Sequence, residues 1–253
     1  MSAKRKILIT GAAGYIGSFL RKAWRGRYDM VLTDIGEIQD PGGARTIQAD
    51  IQDIDAMKQA CKGIDTVVHL AANPSYNAEF AADVLPKNII GTHNVLEAAV
   101  QSGVKRVIVA SSIHCVGGYP PDVQVKSDMP VRPCCEYGAS KCYAEAVGRY
   151  FADQRGMSVI ALRIGGVHGH ETDNPHPDSG HMDILVSEQD LTQLITKCIE
   201  APDDLRFDIF HGLSNNRFKR LDISHAREML NYDPEDTVGE DENVPEPLPI
   251  HPS

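Results

Sequence analysis

The feature that most constrains this chain is a glycine-rich turn near the N-terminus. Residues 7–10 form an apolar run of strand length, and Gly11, Gly14 and Gly17 follow in the spacing G-x-x-G-x-x-G before a helical pattern at residues 15–24. Glycines here allow a tight turn and close approach of a pyrophosphate, and the helix N-terminus presents free N–H groups. Glycine trios also occur in ordinary turns, but the flanking strand and helix favour a dinucleotide site.

Beyond this turn, apolar runs of strand length alternate with segments of helical period. Two of the runs, VVHL at 67–70 and VIVA at 107–110, are apolar throughout, as expected for strands buried on both faces. The pattern predicts an α/β fold with a doubly wound, parallel, Rossmann-like sheet. Predicted strands lie at 30–33, 46–49, 66–70, 106–110, 158–162 and 207–210, and predicted helices at 54–61, 88–102, 140–154, 191–199 and 223–230.

We expect one domain over residues 1–253, because a chain of this length can bury one substantial core. It divides into a dinucleotide-binding core (1–163), a small substrate-binding portion (164–232) and an arm or frayed tail (233–253), which is rich in proline and acid. A polar loop at 165–181 carries His168, His170, His176 and His181. These side chains could bind an anion, a sugar hydroxyl or, at H-x-H spacing, a metal, but a surface loop without ligand is favoured over a metal site.

Charge and cysteine content exclude several classes of function. Asp and Glu outnumber Lys and Arg by 35 to 25, and a net charge of −10 suits neither nucleic acid nor an anionic membrane surface. The six cysteines show no C-x-x-C pair and no zinc-ligand spacing, which predicts reduced thiols in a cytoplasm and no metal. The apolar run at 7–9 is too short for a signal peptide or a membrane span.

Asp34 ends the second predicted strand, roughly 20 residues after the glycine turn. An acidic side chain at this place accepts hydrogen bonds from the adenosine ribose hydroxyls and repels a 2′-phosphate. No lysine or arginine lies between Tyr28 and Arg45 to offset that repulsion, so the sequence favours NAD over NADP. The alternative is an aspartate that merely caps a turn.

Tyr137 and Lys141 are four residues apart in the segment Y-G-A-S-K, so on a helix they share one face. A nearby ammonium favours the phenolate and is expected to lower the tyrosine pKa from about 10 towards working pH. The pair is therefore a candidate for acid–base catalysis. The same spacing also occurs by chance on solvated helices.

Together these motifs resemble the extended short-chain dehydrogenase/reductase superfamily, the NAD-dependent epimerase/dehydratase group. The resemblance rests on TGAAGYIG, the Asp50-Ile51 pair, HLAA at 69–72, N-x-x-G-T at 88–92, Ser111-Ser112 and YGASK. It implies that Tyr137 is the general acid/base, that Lys141 lowers its pKa and holds the nicotinamide ribose, and that Ser112 binds the reacting oxygen.

The resemblance also implies the other contacts. Asp50 and Ile51 would bracket the adenine, and Asn88 would brace the active-site helices unless it only caps a helix. Without a functional role, Ser112 would merely end a strand and Ile51 would be an ordinary core residue. The implied cofactor contacts are Gly11, Ala13, Gly14, Tyr15, Ile16, Gly17, Asp34, Asp50, Ile51, Leu70, Ala71, Ala72, Asn88, Tyr137 and Lys141, and the implied substrate contacts are Ser75, Ser112, Ile113, His114, Tyr137 and Gly166.

Within the superfamily the chain looks closest to compact sugar dehydrogenases, above all uronate dehydrogenases, by the segments at 111–120, 137–142, 161–165 and 187–190. Only ninety residues follow Arg163, which argues for a substrate smaller than a nucleotide sugar. The chain departs from uronate dehydrogenases at Ile113 and Gly166, where they have asparagine and serine. They also clamp the sugar carboxylate with a loop arginine, whereas Lys197 is the only lysine or arginine between Arg163 and Arg206 here.

The resulting hypothesis is NAD-dependent oxidation of a sugar or uronic acid at the anomeric hydroxyl to a lactone. One alternative is an epimerase or dehydratase that returns the hydride to a sugar or nucleotide sugar, and another is a non-catalytic NAD sensor. The resemblance implies a homodimer or higher homo-oligomer formed by the helices at 88–102 and 140–154. The apolar positions Val95, Ala98, Ala99, Ala144, Val147, Tyr150 and Phe151 fit that interface and fit packing on the sheet as well.

Overall fold

The computed structural model describes residues 4–167 and 182–237. Its strands are β1 (Lys6–Thr10), β2 (Asp29–Asp34), β3 (Arg45–Gln48), β4 (Thr66–His69), β5 (Arg106–Ser112), β6 (Ser158–Ile164), β7 (Gly166–Val167), β8 (Leu185–Val186) and β9 (Phe207–Gly212). In the described part of the chain, seven of them form one parallel sheet in the order β3-β2-β1-β4-β5-β6-β9. Strands β7 and β8 pair separately beside it.

The helices connect these strands. They are α1 (Tyr15–Ala23), α2 (Ile54–Ala60), α3 (Gly91–Gln101), α4 (Glu136–Arg155), α5 (Glu188–Glu200) and α6 (Ser224–Leu230). A π-helical segment, Phe80–Ile90, leads directly into α3, and short 3₁₀ turns lie at Ile113–Cys115 and Met182–Ile184. None of the described helices is long and apolar enough to cross a membrane.

Side chains alternate between the two faces of the sheet, and each face has its own core. In β1, Ile7 and Ile9 pack against one layer with Trp24 and Leu194, whereas Leu8 packs in the opposite cluster with Leu96. Nearly all apolar side chains of the central strands β1, β4, β5 and β6 are buried because helices cover both faces of the sheet, and each of them contributes about 1.5–3 kcal/mol to stability. The predicted doubly wound parallel sheet is confirmed.

Two predicted helix boundaries are wrong in ways that matter for the site. Asn88 lies inside the π-helical segment, so it does not cap a helix. Helix α4 begins at Glu136, four residues before the prediction, and this places Tyr137 in its first turn. The N-cap of α4 is Cys135, whose sulfur accepts a hydrogen bond from the Gly138 N–H. Cysteine is not among the usual N-cap residues, so no capping pattern indicated that a helix starts here.

The apolar helix positions that fit either a subunit interface or packing on the sheet differ in their burial. Five of these side chains are buried within the chain itself and therefore pack against the sheet: Val95, Ala98, Ala99, Ala144 and Phe151. The side chain of Tyr150 remains exposed.

The start of the predicted C-terminal arm is anchored. Glu235 N–H donates to Asp190 Oδ1 over 2.8 Å, and Asn215 N–H donates to the Asp236 carbonyl over 2.8 Å. Residues 238–253 and the four histidines at 168–181 lie outside the described residues.

Candidate active site

A cleft of about 1230 Å³ runs along the carboxyl ends of the parallel strands. The chain order of the strands reverses between β1 and β4, and open α/β sheets bind ligands at such a switch point. The structure brings nineteen of the twenty predicted site residues to this cleft: Gly11, Ala13, Gly14, Tyr15, Ile16, Gly17, Asp34, Asp50, Ile51, Leu70, Ala71, Ala72, Ser75, Ser112, Ile113, His114, Tyr137, Lys141 and Gly166.

The glycine turn is a cradle that a Cβ atom would fill. Gly11 has a φ of +71°, and a Cβ there would lie 2.7 Å from the Ala71 nitrogen. A Cβ on Gly17 would lie 2.4 Å from the Gly11 carbonyl oxygen. The close approach of α1 to the turn and to the end of β4 therefore requires glycine at both positions, as a pyrophosphate site demands.

Asp34 extends from the end of β2 to the glycine turn. Its Oδ2 accepts a hydrogen bond from Ala13 N–H over 2.9 Å, and its Oδ1 accepts one from Gly36 N–H over 3.0 Å. The carboxylate is partly exposed and lines the cleft, so oxygen lone pairs remain for a ligand. The turn-capping and the ligand-binding interpretations are thus compatible.

Asp50 and Ile51 form the wall next to Asp34. Both Asp50 oxygens accept hydrogen bonds from Gln52, one from its backbone N–H over 2.9 Å and one from its side chain over 3.0 Å. Ile51 is buried against α3, where a Cβ on Gly91 would lie 2.5 Å from the Ile51 Cδ1. The wall therefore combines a fixed carboxylate with an apolar side chain.

Tyr137, Lys141 and Ser112 meet at the other end of the cleft. The Lys141 ammonium donates to the Ala110 carbonyl over 2.8 Å and lies 5.6 Å from the centre of the Tyr137 ring. Ser112 lies close enough to Tyr137 to lower the pKa of its phenol. Ser112 Oγ also accepts the His114 N–H over 3.2 Å, which fixes the hydroxyl at the end of β5.

The direction of the Tyr137 pKa differs from the sequence expectation. Burial raises the pKa of the phenol to about 12, and the nearby Ser112 side chain opposes only part of that rise. Burial also lowers the pKa of the Lys141 ammonium to about 8. A buried phenolate loses its hydration, and this cost outweighs the attraction of the ammonium. The expectation of a depressed tyrosine pKa is therefore wrong.

Asn88 is the one predicted cofactor residue that does not line the cleft. Its Oδ1 accepts Asn73 N–H over 2.8 Å, and its Nδ2 donates to the Asn73 carbonyl over 3.0 Å and to Ser140 Oγ over 3.1 Å. The side chain is buried and ties the loop after β4 to α4, behind the catalytic pair. Its geometry is that of a brace and not of a cofactor contact.

A buried ion pair beneath the site was not foreseen. Arg163 at the end of β6 binds Glu145 of α4 through Nε at 2.8 Å and Nη2 at 2.9 Å, and both side chains are at most 5% exposed. Glu145 Oε1 also accepts the Ser111 hydroxyl over 2.6 Å. This network fixes α4 to β5 and β6 next to Ser112.

The six cysteines are free thiols. Cys115 is fully buried, with its sulfur 3.2 Å from Ser111 Oγ, and burial together with its hydrogen bond to Cys142 raises its thiol pKa far above the usual range. This environment is that of a structural thiol and not of a nucleophile. Three donor atoms lie within 4.8 Å of one another: His114 Nδ1, Cys134 Sγ and Cys135 Sγ. The sequence spacing between His114 and the two cysteines did not indicate this grouping.

Comparisons with known proteins agree with this arrangement. The model of the NAD dependent epimerase/dehydratase family matches residues 7–199. The chain is 34% identical to an NAD-dependent glucose-6-phosphate dehydrogenase of Haloferax volcanii, over 96% of this chain and 97% of that protein. It is 34% identical to a uronate dehydrogenase of Pseudomonas putida, over 92% of this chain and 84% of that protein.

Among solved structures, a mutant uronate dehydrogenase from Agrobacterium tumefaciens complexed with NAD superposes with a TM-score of 0.83 at 32% identity. The match covers 92% of this chain and 86% of that one. A glucuronic acid dehydrogenase from Chromohalobacter salexigens superposes with a TM-score of 0.82 at 28% identity, over 92% of this chain and 85% of that one.

Proposed function

This chain belongs to the NAD-dependent epimerase/dehydratase family, and we propose that it oxidises the anomeric hydroxyl of a sugar or uronic acid to a lactone with NAD as hydride acceptor. The observation that carries the proposal is the assembly of Tyr137, Lys141 and Ser112 at one end of a cleft whose other end is the glycine turn. The sugar dehydrogenases that resemble the chain over more than nine-tenths of its length support it.

The cleft fits NAD by shape and charge. The glycine cradle and the N-terminus of α1 would hold the pyrophosphate, and Asp34 would accept hydrogen bonds from the adenosine ribose hydroxyls. A 2′-phosphate next to Asp34 would be repelled, so the residues favour NAD over NADP. Asp50 and Ile51 would flank the adenine.

When bound, NAD supplies a positively charged nicotinamide ring that accepts the hydride from the sugar C1. Tyr137 takes the proton of the C1 hydroxyl, the C1–O bond becomes a carbonyl, and a lactone results. Ser112 donates a hydrogen bond to the reacting oxygen. Burial holds the Tyr137 pKa at about 12, so the phenol is protonated at neutral pH. The positive charge of a bound nicotinamide ring would add to that of Lys141, lower this pKa and allow Tyr137 to act as the base.

The cleft residues favour a compact, hydroxyl-rich substrate. Among the described residues that line the cleft, the cationic side chains are Lys87 and Lys141, and no arginine is present to clamp a carboxylate. The Lys87 ammonium is already paired with Asp83. Ser75, Ser112, Ile113, His114 and Gly166 are proposed to contact the sugar.

The test is an assay of NADH absorbance with a panel of aldoses, uronates and sugar phosphates. The proposal predicts NADH formation with at least one class and little activity with NADP. No NADH with any member of the panel would contradict it. NAD that stays bound through purification, without net formation of NADH, would instead favour an epimerase. A putative UDP-glucose 4-epimerase of Methanocaldococcus jannaschii is 29% identical to this chain over 72% of its length.

We also infer a homodimer or higher homo-oligomer in a reducing compartment such as the cytoplasm. Phe80, Leu85 and Ile90 of the π-helical segment and Tyr150 of α4 carry exposed large apolar side chains, and six free thiols suit a reducing environment. Size-exclusion chromatography with light scattering tests the assembly, and a monomer at micromolar concentration would contradict it.

A further inference from the structure

Three side chains that commonly bind metals converge at the edge of the cleft. His114 lies in the 3₁₀ turn after β5, and Cys134 and Cys135 immediately precede α4. The His114 Nδ1 lies 3.2 Å from the Cys134 sulfur and 3.8 Å from the Cys135 sulfur. Each residue therefore offers one donor atom to a common point.

Backbone hydrogen bonds fix these two segments against each other. Arg132 N–H donates to the Cys115 carbonyl over 2.8 Å, and Cys134 N–H donates to the His114 carbonyl over 3.3 Å. A Cβ on Gly117 would lie 2.7 Å from the Cys134 sulfur, so glycine leaves the space that this sulfur occupies. The grouping is therefore built by the fold and does not depend on one flexible side chain.

The distances fit a tetrahedral metal centre. With Zn–S near 2.3 Å and Zn–N near 2.0–2.1 Å, ligand atoms in a tetrahedron are about 3.5–3.8 Å apart. The three donor atoms here are all within 4.8 Å of one another, so small side-chain rotations suffice. Imidazole with two thiolates is a donor set that selects zinc and other thiophilic cations.

We propose that His114, Cys134 and Cys135 form a binding site for one thiophilic divalent cation such as Zn²⁺, with water or a cleft ligand as the fourth donor. Binding releases the two thiol protons, and the two thiolates neutralise the cation. The N-terminus of α4 favours this negative charge, because the Gly138 N–H already points at the Cys135 sulfur over 3.3 Å.

This site is separate from the proposed hydride transfer. The proton transfer proposed for Tyr137, Lys141 and Ser112 needs no metal. The metal site would nevertheless lie close to it, because the centroids of the His114 and Tyr137 rings are 5.6 Å apart. A cation held at Nδ1 leaves the remaining imidazole proton on Nε2, so occupancy fixes the His114 tautomer beside the sugar site. Metal binding can be measured without sugar or NAD, and its failure is distinguishable from failure of the proposed activity.

The experiment uses the full-length chain, fully reduced and stripped of metal. Zn²⁺ is titrated in competition with a chromophoric chelator, and Co²⁺ is titrated to record its visible absorption and thiolate charge-transfer bands. We expect one equivalent of metal, a tetrahedral Co²⁺ spectrum, and affinity at least about tenfold weaker, which is about 1.4 kcal/mol, in Cys134→Ser and His114→Gln.

The matched control is Cys142→Ser, because this partly buried thiol pairs with Cys115 and is not in the cluster. It should bind Zn²⁺ like the unmodified chain, and circular dichroism should show that all variants are folded. Absence of binding in the unmodified chain would overturn the proposal. Full affinity in both ligand variants would overturn it as well, since it would assign the metal to other groups such as the histidines at 168–181.

Discussion

Replacing Glu145 by glutamine would leave the Arg163 guanidinium buried without a counter-charge. Arg163 is 1% exposed and Glu145 is 5% exposed, and two hydrogen bonds of 2.8 and 2.9 Å join them. A glutamine can accept through one oxygen only, and its amide hydrogens would face the guanidinium. Breaking one partner of a buried pair costs about 3–5 kcal/mol, because the remaining charge stays desolvated.

For a domain of this size that loss corresponds to a fall in Tm of about 6–20 °C. The assay is urea and thermal unfolding followed by circular dichroism. The matched control is Glu97→Gln, which breaks a similar two-bond pair with Arg155 at the surface, where the side chains are 16% and 33% exposed. That change should cost less than about 1 kcal/mol.

A double variant, Glu145→Gln with Arg163→Met, removes both charges and should recover most of the loss, since no uncompensated charge then remains buried. Equal losses in Glu145→Gln and Glu97→Gln would refute the reasoning. A double variant no more stable than Glu145→Gln would do the same.

Three further predictions concern the cofactor, the base and a buried histidine. Tyr137→Phe should lower kcat at least about 100-fold and leave the NAD Kd within about threefold, as measured by NADH assay and fluorescence titration; an active variant would remove the tyrosine from catalysis. Asp34→Asn should lower the ratio of kcat/KM for NAD over NADP at least about tenfold, because the charge that repels a 2′-phosphate is gone; an unchanged ratio would contradict this role. His69 bridges Thr10 and Thr92, and burial, helped by the nearby Lys141 charge, lowers its pKa to about 3. Below a pH of about 6.5, the pKa of a histidine in the unfolded chain, His69 is protonated in the unfolded chain but stays neutral in the folded chain. The free energy of unfolding therefore falls as the pH falls. Between pH 7 and 5 the unmodified chain should lose about 2 kcal/mol more than His69→Gln in urea unfolding, and parallel pH curves would refute the assignment.

Local patterns were sufficient to predict the sheet and most of the cleft. The glycine turn could be recognised because its three glycines lie close together in the sequence, between a run of strand length and a helical pattern. Asp34 was predicted from its place after the glycine turn, whereas the role of Ser112 was implied by the family resemblance. Both residues line the cleft, because parallel strands end at one edge of the sheet.

Features that depend on tertiary contacts could not be predicted. Glu145 and Arg163 meet across α4 and β6, and the Cys134 and Cys135 thiols meet His114 from about twenty residues away. The raised pKa of Tyr137 follows from burial, which no spacing reveals. The predicted helix start at residue 88 was wrong because a π-helical segment that contains Pro86 begins at Phe80 and runs directly into α3, and no local pattern indicates a helix across a proline.

The most direct test of the central claim uses a sugar that carries deuterium at C1. The substrate found in the panel is incubated with NAD and the chain, and the cofactor and sugar are analysed by mass spectrometry. Hydride transfer from C1 predicts singly deuterated NADH and a lactone that has lost the label. Unlabelled NADH, or deuterium retained in a sugar of altered stereochemistry, would contradict net oxidation at C1.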